Sequence, residues 1–174
     1  SCLNANIYFQ NINETNVNSN KVINFISNLE EEIIIYSGYG GTILKSEILS
    51  CGKKFLHVHG GFLPDYRGST TNYYSALKEK YIGASSIIMS QEIDEGPIIY
   101  RKKFNLPKDL SLLDHYHDSF VRAYVLIKTI KLLLQLKDFE DNLIYQNNDP
   151  KVLPFYIIHP LLKHLSIINS NNYL

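Results

Sequence analysis

Polar and apolar positions in this chain fall into short alternating blocks. "KVINFISNLEE" sets Val22, Ile23, Phe25, Ile26 and Leu29 at helical spacing, which predicts an amphipathic helix. "EIIIYSGYGG" is a β-branched run ending in glycines, the form of a buried parallel strand that stops at a turn. "TILKSEIL" predicts a short helix, and "KKFLHVHGG" a second strand that again ends in glycines. "TTNYYSALKEKY" predicts a helix with Lys78, Glu79 and Lys80 as a solvated patch. "GASSIIMSQEIDEGPIIYRKKFNL" predicts two strands broken at "DEG". "SLLDHYHDSFVRAYVLIKTIKLLLQL" predicts a long amphipathic helix with Ser111 as N-cap and Asp114 three residues on. At the start, "NIYFQNI" predicts a short strand and "NETNVNSN" a loop; at the end, the pattern predicts a strand or loop and then a short helix from Pro160.

Strand, helix, strand, helix, strand in this order predicts the α/β class, with an open, mostly parallel sheet flanked by helices. The 174 residues, 45% of them apolar, are enough for one domain with a core. A formal net charge of zero gives no support for a broad phosphate-binding surface, so nucleic acid is not a favoured partner. Two cysteines make a poor disulfide framework, no long apolar run predicts a membrane span, and no signal peptide is read at the start; the expected address is the cytoplasm.

Chemistry concentrates in two places. In "LHVHGGFLPDYRG" the residues His57 and His59 are two apart on a strand, so both imidazoles share one face near the strand's C-terminal end. That end of an open α/β sheet is where ligands bind. A structural, hydrogen-bonded histidine pair is the plainer alternative. Zinc chelation by His57 and His59 would need a third ligand. His115 and His117 do not supply one on one face, because i and i+2 diverge on a helix, and no metal is expected. The second place is "SQEIDEGPII", where Asp94 stands at a break fixed by Gly96 and Pro97. A solvated acidic turn is one reading; a carboxylate that reaches back to a histidine, fixing its tautomer for proton transfer, is the other.

"HVHGGFLPDYRG" followed by "IDEGPII" resembles the folate-dependent formyltransferases, a family with an Asn-x-His-Pro-Ser-x-Leu-Pro-x-Tyr-Arg-Gly stretch and a later Asp-x-Gly turn. The resemblance covers roughly Glu32 to Leu136 and is nearest to the members that formylate amino sugars. It implies a formyltransferase-like variant of the Rossmann fold and transfer of a formyl group from 10-formyltetrahydrofolate, as co-substrate, to a primary amine. It places His59 on the family's catalytic histidine, Asp94 on its aspartate, and His57 where the family carries an Asn that holds the developing oxyanion. Gly60 and Gly61 stand in place of Pro-Ser. Two loops are implied to form the folate pocket, with Tyr39, Gly40, Gly41, Ile43 and Leu44 in one and Met89, Gln91 and Ile93 in the other. Arg67, Asn72 and Tyr74 are the implied substrate contacts, since "TTNYYS" keeps the Asn, aromatic and Ser of the sugar-modifying members.

The acceptor implied first is a nucleotide-linked amino sugar; glycinamide ribonucleotide and methionyl-tRNA are the other amines. Against the family pattern the chain reads as a single catalytic domain over 1–174, with its first βαβ unit missing and no second domain. A shortened sheet would expose an edge strand, which a homodimer would cover. A non-catalytic binding module with the same fold remains the rival from another class.

Overall fold

The computed structural model describes residues 8–39, 41–136, 140–147, 149 and 153–171. Helix α1 (Asn20–Ser27) starts where the Ser19 side chain accepts a hydrogen bond from the Val22 amide. It turns Val22 inward and leads to strand β1 (Ile33–Ile35). A loop and the single turn α2 (Ser46–Leu49) connect β1 to β2 (Lys54–His59). Helix α3 (Thr71–Glu79) runs through a left-handed Lys80 directly into β3 (Tyr81–Ile88), and a loop leads to β4 (Ile98–Asn105). A 3₁₀ turn (Leu110–Leu112) and a π turn (Leu113–His117) open the long helix α4 (Asp118–Gln135), and α5 (Pro160–Asn171) is the last element.

The sheet has the order β1-β2-β3-β4. As expected it is open and flanked by helices, but its strand directions are mixed: β1 and β2 are parallel, while β2/β3 and β3/β4 are antiparallel. The β3–β4 link, Met89–Pro97, is too short for the crossover that a parallel pair requires.

Two other expectations are corrected. Ser111 does not cap α4. Asp109 caps the preceding turn, accepting from the Ser111 amide at 2.9 Å and its hydroxyl at 2.6 Å, so the Ser111 oxygen is already engaged inside that turn. "NIYFQNI", of which Asn6 and Ile7 lie outside the described residues, forms no strand over Tyr8–Ile12; Tyr8 and Phe9 face solvent, and no strand among the described residues pairs with them.

Side-chain alternation sorts the core into two faces. Ile82 and Ala84 of β3, with half-buried Val58 of β2, pack against Tyr73 and Ala76 of α3 and Val121 and Val125 of α4. Phe55 on the other face of β2 packs with Val22, Leu44 and Ile48. Leu63, Ile87 and Ile98 form a third cluster under the loop that follows β2. Burial of this kind contributes about 25 cal/mol per Å² of apolar surface, so the strand that carries the two histidines is held from both sides. Among the described residues no helix is long and apolar enough to cross a membrane.

Candidate active site

The site forms where β2 ends. Buried Ser85 of β3 ties down the chain beyond it: its hydroxyl donates to the Gly61 carbonyl at 2.8 Å and accepts from the Leu63 amide at 3.0 Å. The Thr71 hydroxyl donates to the Gly60 carbonyl and fixes the start of α3 to the same turn. Gly61 leaves no room for a side chain. A Cβ there would lie 2.5 Å from Nε2 of His59 and 2.6 Å from both the Thr71 hydroxyl and the Tyr66 carbonyl. Gly60 is crowded differently: its Cβ would meet the side-chain ends of Asp118 at 2.5 Å and Arg122 at 2.7 Å.

His59 is buried, and its Nδ1 lies 3.3 Å from Oδ2 of Asp94. Its Nε2 lies 2.7 Å from the Tyr66 carbonyl. A carbonyl oxygen only accepts, so Nε2 carries a proton. Nδ1 donates to Asp94 only when the ring is the imidazolium. His57 is half-buried on the same face, with Nδ1 3.3 Å from the Tyr36 carbonyl and its ring 6.2 Å from the Tyr36 ring. Burial of its imidazole pushes its pKa below the ordinary histidine value; the Tyr36 carbonyl opposes the shift, Arg122 and His59 reinforce it, and Asp94 opposes it.

Asp94 is held on several sides. Its Oδ2 accepts from the Gly68 amide at 2.9 Å, and its carbonyl accepts from Nε2 of Gln146 at 2.9 Å. Its φ of 56° is left-handed, a conformation Asp tolerates better than most residues. Gly96 is required two residues on, because a Cβ there would run into the Ile88 carbonyl.

Beside His59 opens a cleft of about 230 Å³, lined in part by Ser69, Thr70, Tyr73, Asp114, Asp118 and Arg122. Asp118 pairs with Arg122 at 2.6 Å and accepts from Nδ2 of Asn72 at 3.0 Å. These charged groups escaped the sequence reading. Their i,i+4 spacing on a helix was the available signal, but only the fold shows that this turn of α4 meets the end of β2.

The expected substrate contacts separate. Asn72 lines the cleft, yet its amide is engaged at both ends, with Oδ1 accepting from the Gly83 amide at 2.7 Å and Nδ2 donating to Asp118. Arg67 is buried and ion-paired with Glu95, so it braces the Asp94 loop and does not line the cleft. Tyr74 packs its ring, tilted, with its centroid 4.5 Å from that of Phe155 and donates to the Tyr156 carbonyl at 3.3 Å; Tyr73 is the tyrosine at the cleft. Of the residues expected to contact folate, Tyr39, Gly41, Ile43, Gln91 and Ile93 are exposed, whereas Leu44 is buried in the core and Met89 packs on that core. Gly40 lies outside the described residues. Among the described residues no group of three or more metal-ligating side chains comes together.

Residues 4–120 match the formyl transferase family. The chain is 30% identical over 111 residues to a methionyl-tRNA formyltransferase of Finegoldia magna, covering 63% of this chain and 36% of that relative, so it spans about a third of the relative's length. A sugar N-formyltransferase from a Shewanella strain has a similar fold, with a TM-score of 0.63, 21% identity, and coverage of 90% of this chain and 66% of that one. The formyltransferase PseJ of Anoxybacillus kamchatkensis, solved in complex with UDP-4,6-dideoxy-4-formamido-L-AltNAc and tetrahydrofolate, aligns with a TM-score of 0.57 and 15% identity over 86% of this chain and 73% of its own. With the family match running across more than half of the chain and through both halves of the His59–Asp94 pair, this protein belongs to the folate-dependent formyl transferase family.

Proposed function

We propose that this chain transfers the formyl group of 10-formyltetrahydrofolate to a primary amine, and that the amine is borne by a nucleotide-linked amino sugar. The observation that carries the reading is the 3.3 Å approach of His59 to Asp94 at the end of β2, beside the cleft. The acceptor amine enters the cleft and attacks the formyl carbon. Its proton must leave, and the folate nitrogen must gain one as the old C–N bond breaks. His59 is the acid that protonates the leaving nitrogen, exchanging its Tyr66 contact for the substrate. Asp94 fixes the ring and faces its positive form. The folate lies against the exposed loop around Tyr39, Gly41 and Ile43 and the loop carrying Gln91 and Ile93; exposed apolar side chains beside the site suit a flat ring system. Leu44 and Met89 support those loops from the core.

The lining supports a compact hydroxylated acceptor, since Ser69, Thr70, Asp114 and Asp118 offer several polar partners in a small volume. A formal net charge of zero disfavours tRNA. The complex formed by the similarly folded PseJ supports a sugar nucleotide.

The test is release of tetrahydrofolate, followed by absorbance, with a UDP-linked 4-amino sugar, glycinamide ribonucleotide or methionyl-tRNA as acceptor. The sugar should be preferred, and His59→Ala and Asp94→Ala should each lower turnover by roughly 10²- to 10⁴-fold. Full activity in either variant, or no heat on titrating folate at millimolar concentration, would refute the reading. Folate binding without turnover on any amine would establish a binding module instead, the alternative favoured by His57 standing in place of Asn.

A further inference from the structure

His57 occupies the position where the family pattern places a hydrogen-bond donor for the oxyanion. Its surroundings give it the opposite character. The contact between Nδ1 and the Tyr36 carbonyl, at 3.3 Å, requires the proton on Nδ1. A neutral imidazole has one N–H, so Nε2 carries a lone pair. Among the described residues Nε2 makes no hydrogen bond. The groups facing the ring are the Tyr36 carbonyl from the end of β1, His59 on the same strand, Arg122 from α4 and Asp94 from the β3–β4 loop. Burial, Arg122 and His59 all favour the neutral ring, against the carbonyl and Asp94.

His59 presents no comparable lone pair. Its Nε2 faces the Tyr66 carbonyl and its Nδ1 faces Asp94, so both nitrogens point at acceptors. Two histidines on one strand face thus offer different groups, an Nε2 lone pair on His57 and an Nε2–H on His59.

Building on the formyl-transfer reading, we propose that His57 is the proton acceptor for the attacking amine and not an oxyanion donor. The amine lone pair forms the new N–C bond, and the carbonyl π pair moves to oxygen. The proton of the new ammonium passes to Nε2 of His57, which becomes an imidazolium with Nδ1–H still on the Tyr36 carbonyl. The bond from the formyl carbon to the folate nitrogen then breaks, its pair staying on nitrogen, which takes a proton from His59, and the oxygen pair restores the C=O. Solvent removes the proton from His57 and returns one to His59, so the cycle closes with no co-reactant.

Two measurements test this. The first is the ring ¹⁵N spectrum of the ligand-free protein, with His57→Gln used for assignment. The expected result at pH 7.5 is a neutral His57 with Nδ1–H and bare Nε2; an Nε2–H tautomer or a charged ring would overturn the proposal whatever the turnover. The second is the pH profile of kcat/KM with 10-formyltetrahydrofolate and the UDP-linked 4-amino sugar. His57→Asn and His57→Gln, checked for native melting, should fall by roughly 10²- to 10⁴-fold and lose the acidic limb. If His57 instead held the oxyanion, His57→Asn would restore the family's own donor, keep or raise activity and keep the limb; that result sinks the proposal. Inactivity of the wild type with every amine tested overturns the formyl-transfer reading and the acceptor role with it, and a spectrum that still has Nδ1–H marks the fault as lying in that reading rather than in the tautomer.

Discussion

The adjacent glycines after β2 offer a controlled comparison, because one methyl group at each meets different matter. Neither has a left-handed φ, so alanine is conformationally acceptable at both and only space is tested. In Gly61→Ala the new carbon meets Nε2 of His59 at 2.5 Å, the Thr71 hydroxyl at 2.6 Å and the Tyr66 carbonyl at 2.6 Å. The last is backbone, and the Ser85 bond to the Gly61 carbonyl holds the turn in place. Overpacking of this kind costs about 1–3 kcal/mol, and loosening the His59–Tyr66 hydrogen bond adds about 0.5–1.5 kcal/mol. In Gly60→Ala the atoms nearest the carbon are the ends of the Asp118 and Arg122 side chains, and that pair is 25% and 40% exposed. Such an ion pair contributes at most about 1 kcal/mol.

At roughly 2–4 °C per kcal/mol for a domain of this size, Gly61→Ala should lower Tm by roughly 3–18 °C and Gly60→Ala by less than about 4 °C. Thermal unfolding followed by circular dichroism reads both. A Gly61→Ala protein that melts no lower than Gly60→Ala would refute the claim that this turn is packed to its limit around His59. The same pair should separate in turnover, with Gly61→Ala losing activity through His59 and Gly60→Ala changing KM for the acceptor through Asp118.

Asn72→Ala leaves the buried Gly83 amide without its acceptor, so urea denaturation should register a loss of about 1–3 kcal/mol even though Asn72 lines the cleft. His57 has a folded pKa below its unfolded value of 6.5, so the unfolded chain binds the proton first; stability from this residue is intact above pH 6.5 and is lost as pH falls through the folded value. Melting curves across that window should therefore fall less steeply for His57→Asn than for the wild type. Arg122→Gln removes a positive charge that favours the neutral ring, so the His57 titration followed by NMR should move upward; an unmoved midpoint would remove Arg122 from the account.

Much of the site was readable because it rests on local periodicity. A strand period of two placed His57 and His59 on one face, and the break between two apolar runs placed Asp94 in a loop; folding brings that loop to 3.3 Å from His59. What sequence could not supply depends on partners remote along the chain. Arg67, Asn72 and Tyr74 look like ligand contacts in isolation, but Glu95, Asp118, Gly83 and the Phe155–Tyr156 segment claim their polar groups and rings. Strand direction was misjudged because alternating strands and helices suggest crossovers, while the length of the β3–β4 link decides that pairing.

The three departures from the family pattern at this site act on one another through space. With glycine at 61, the Tyr66 carbonyl approaches Nε2 of His59 and engages that nitrogen at 2.7 Å. With glycine at 60, Arg122 reaches the Val58 carbonyl at 3.1 Å, close enough to His57 to favour its neutral ring. A histidine at 57, with its Nδ1 on the Tyr36 carbonyl, leaves Nε2 without a hydrogen bond among the described residues. Each change taken alone would read as a lost catalytic feature. On the proposal made above, the proton-accepting nitrogen lies two residues along the same strand face from the His59–Asp94 pair.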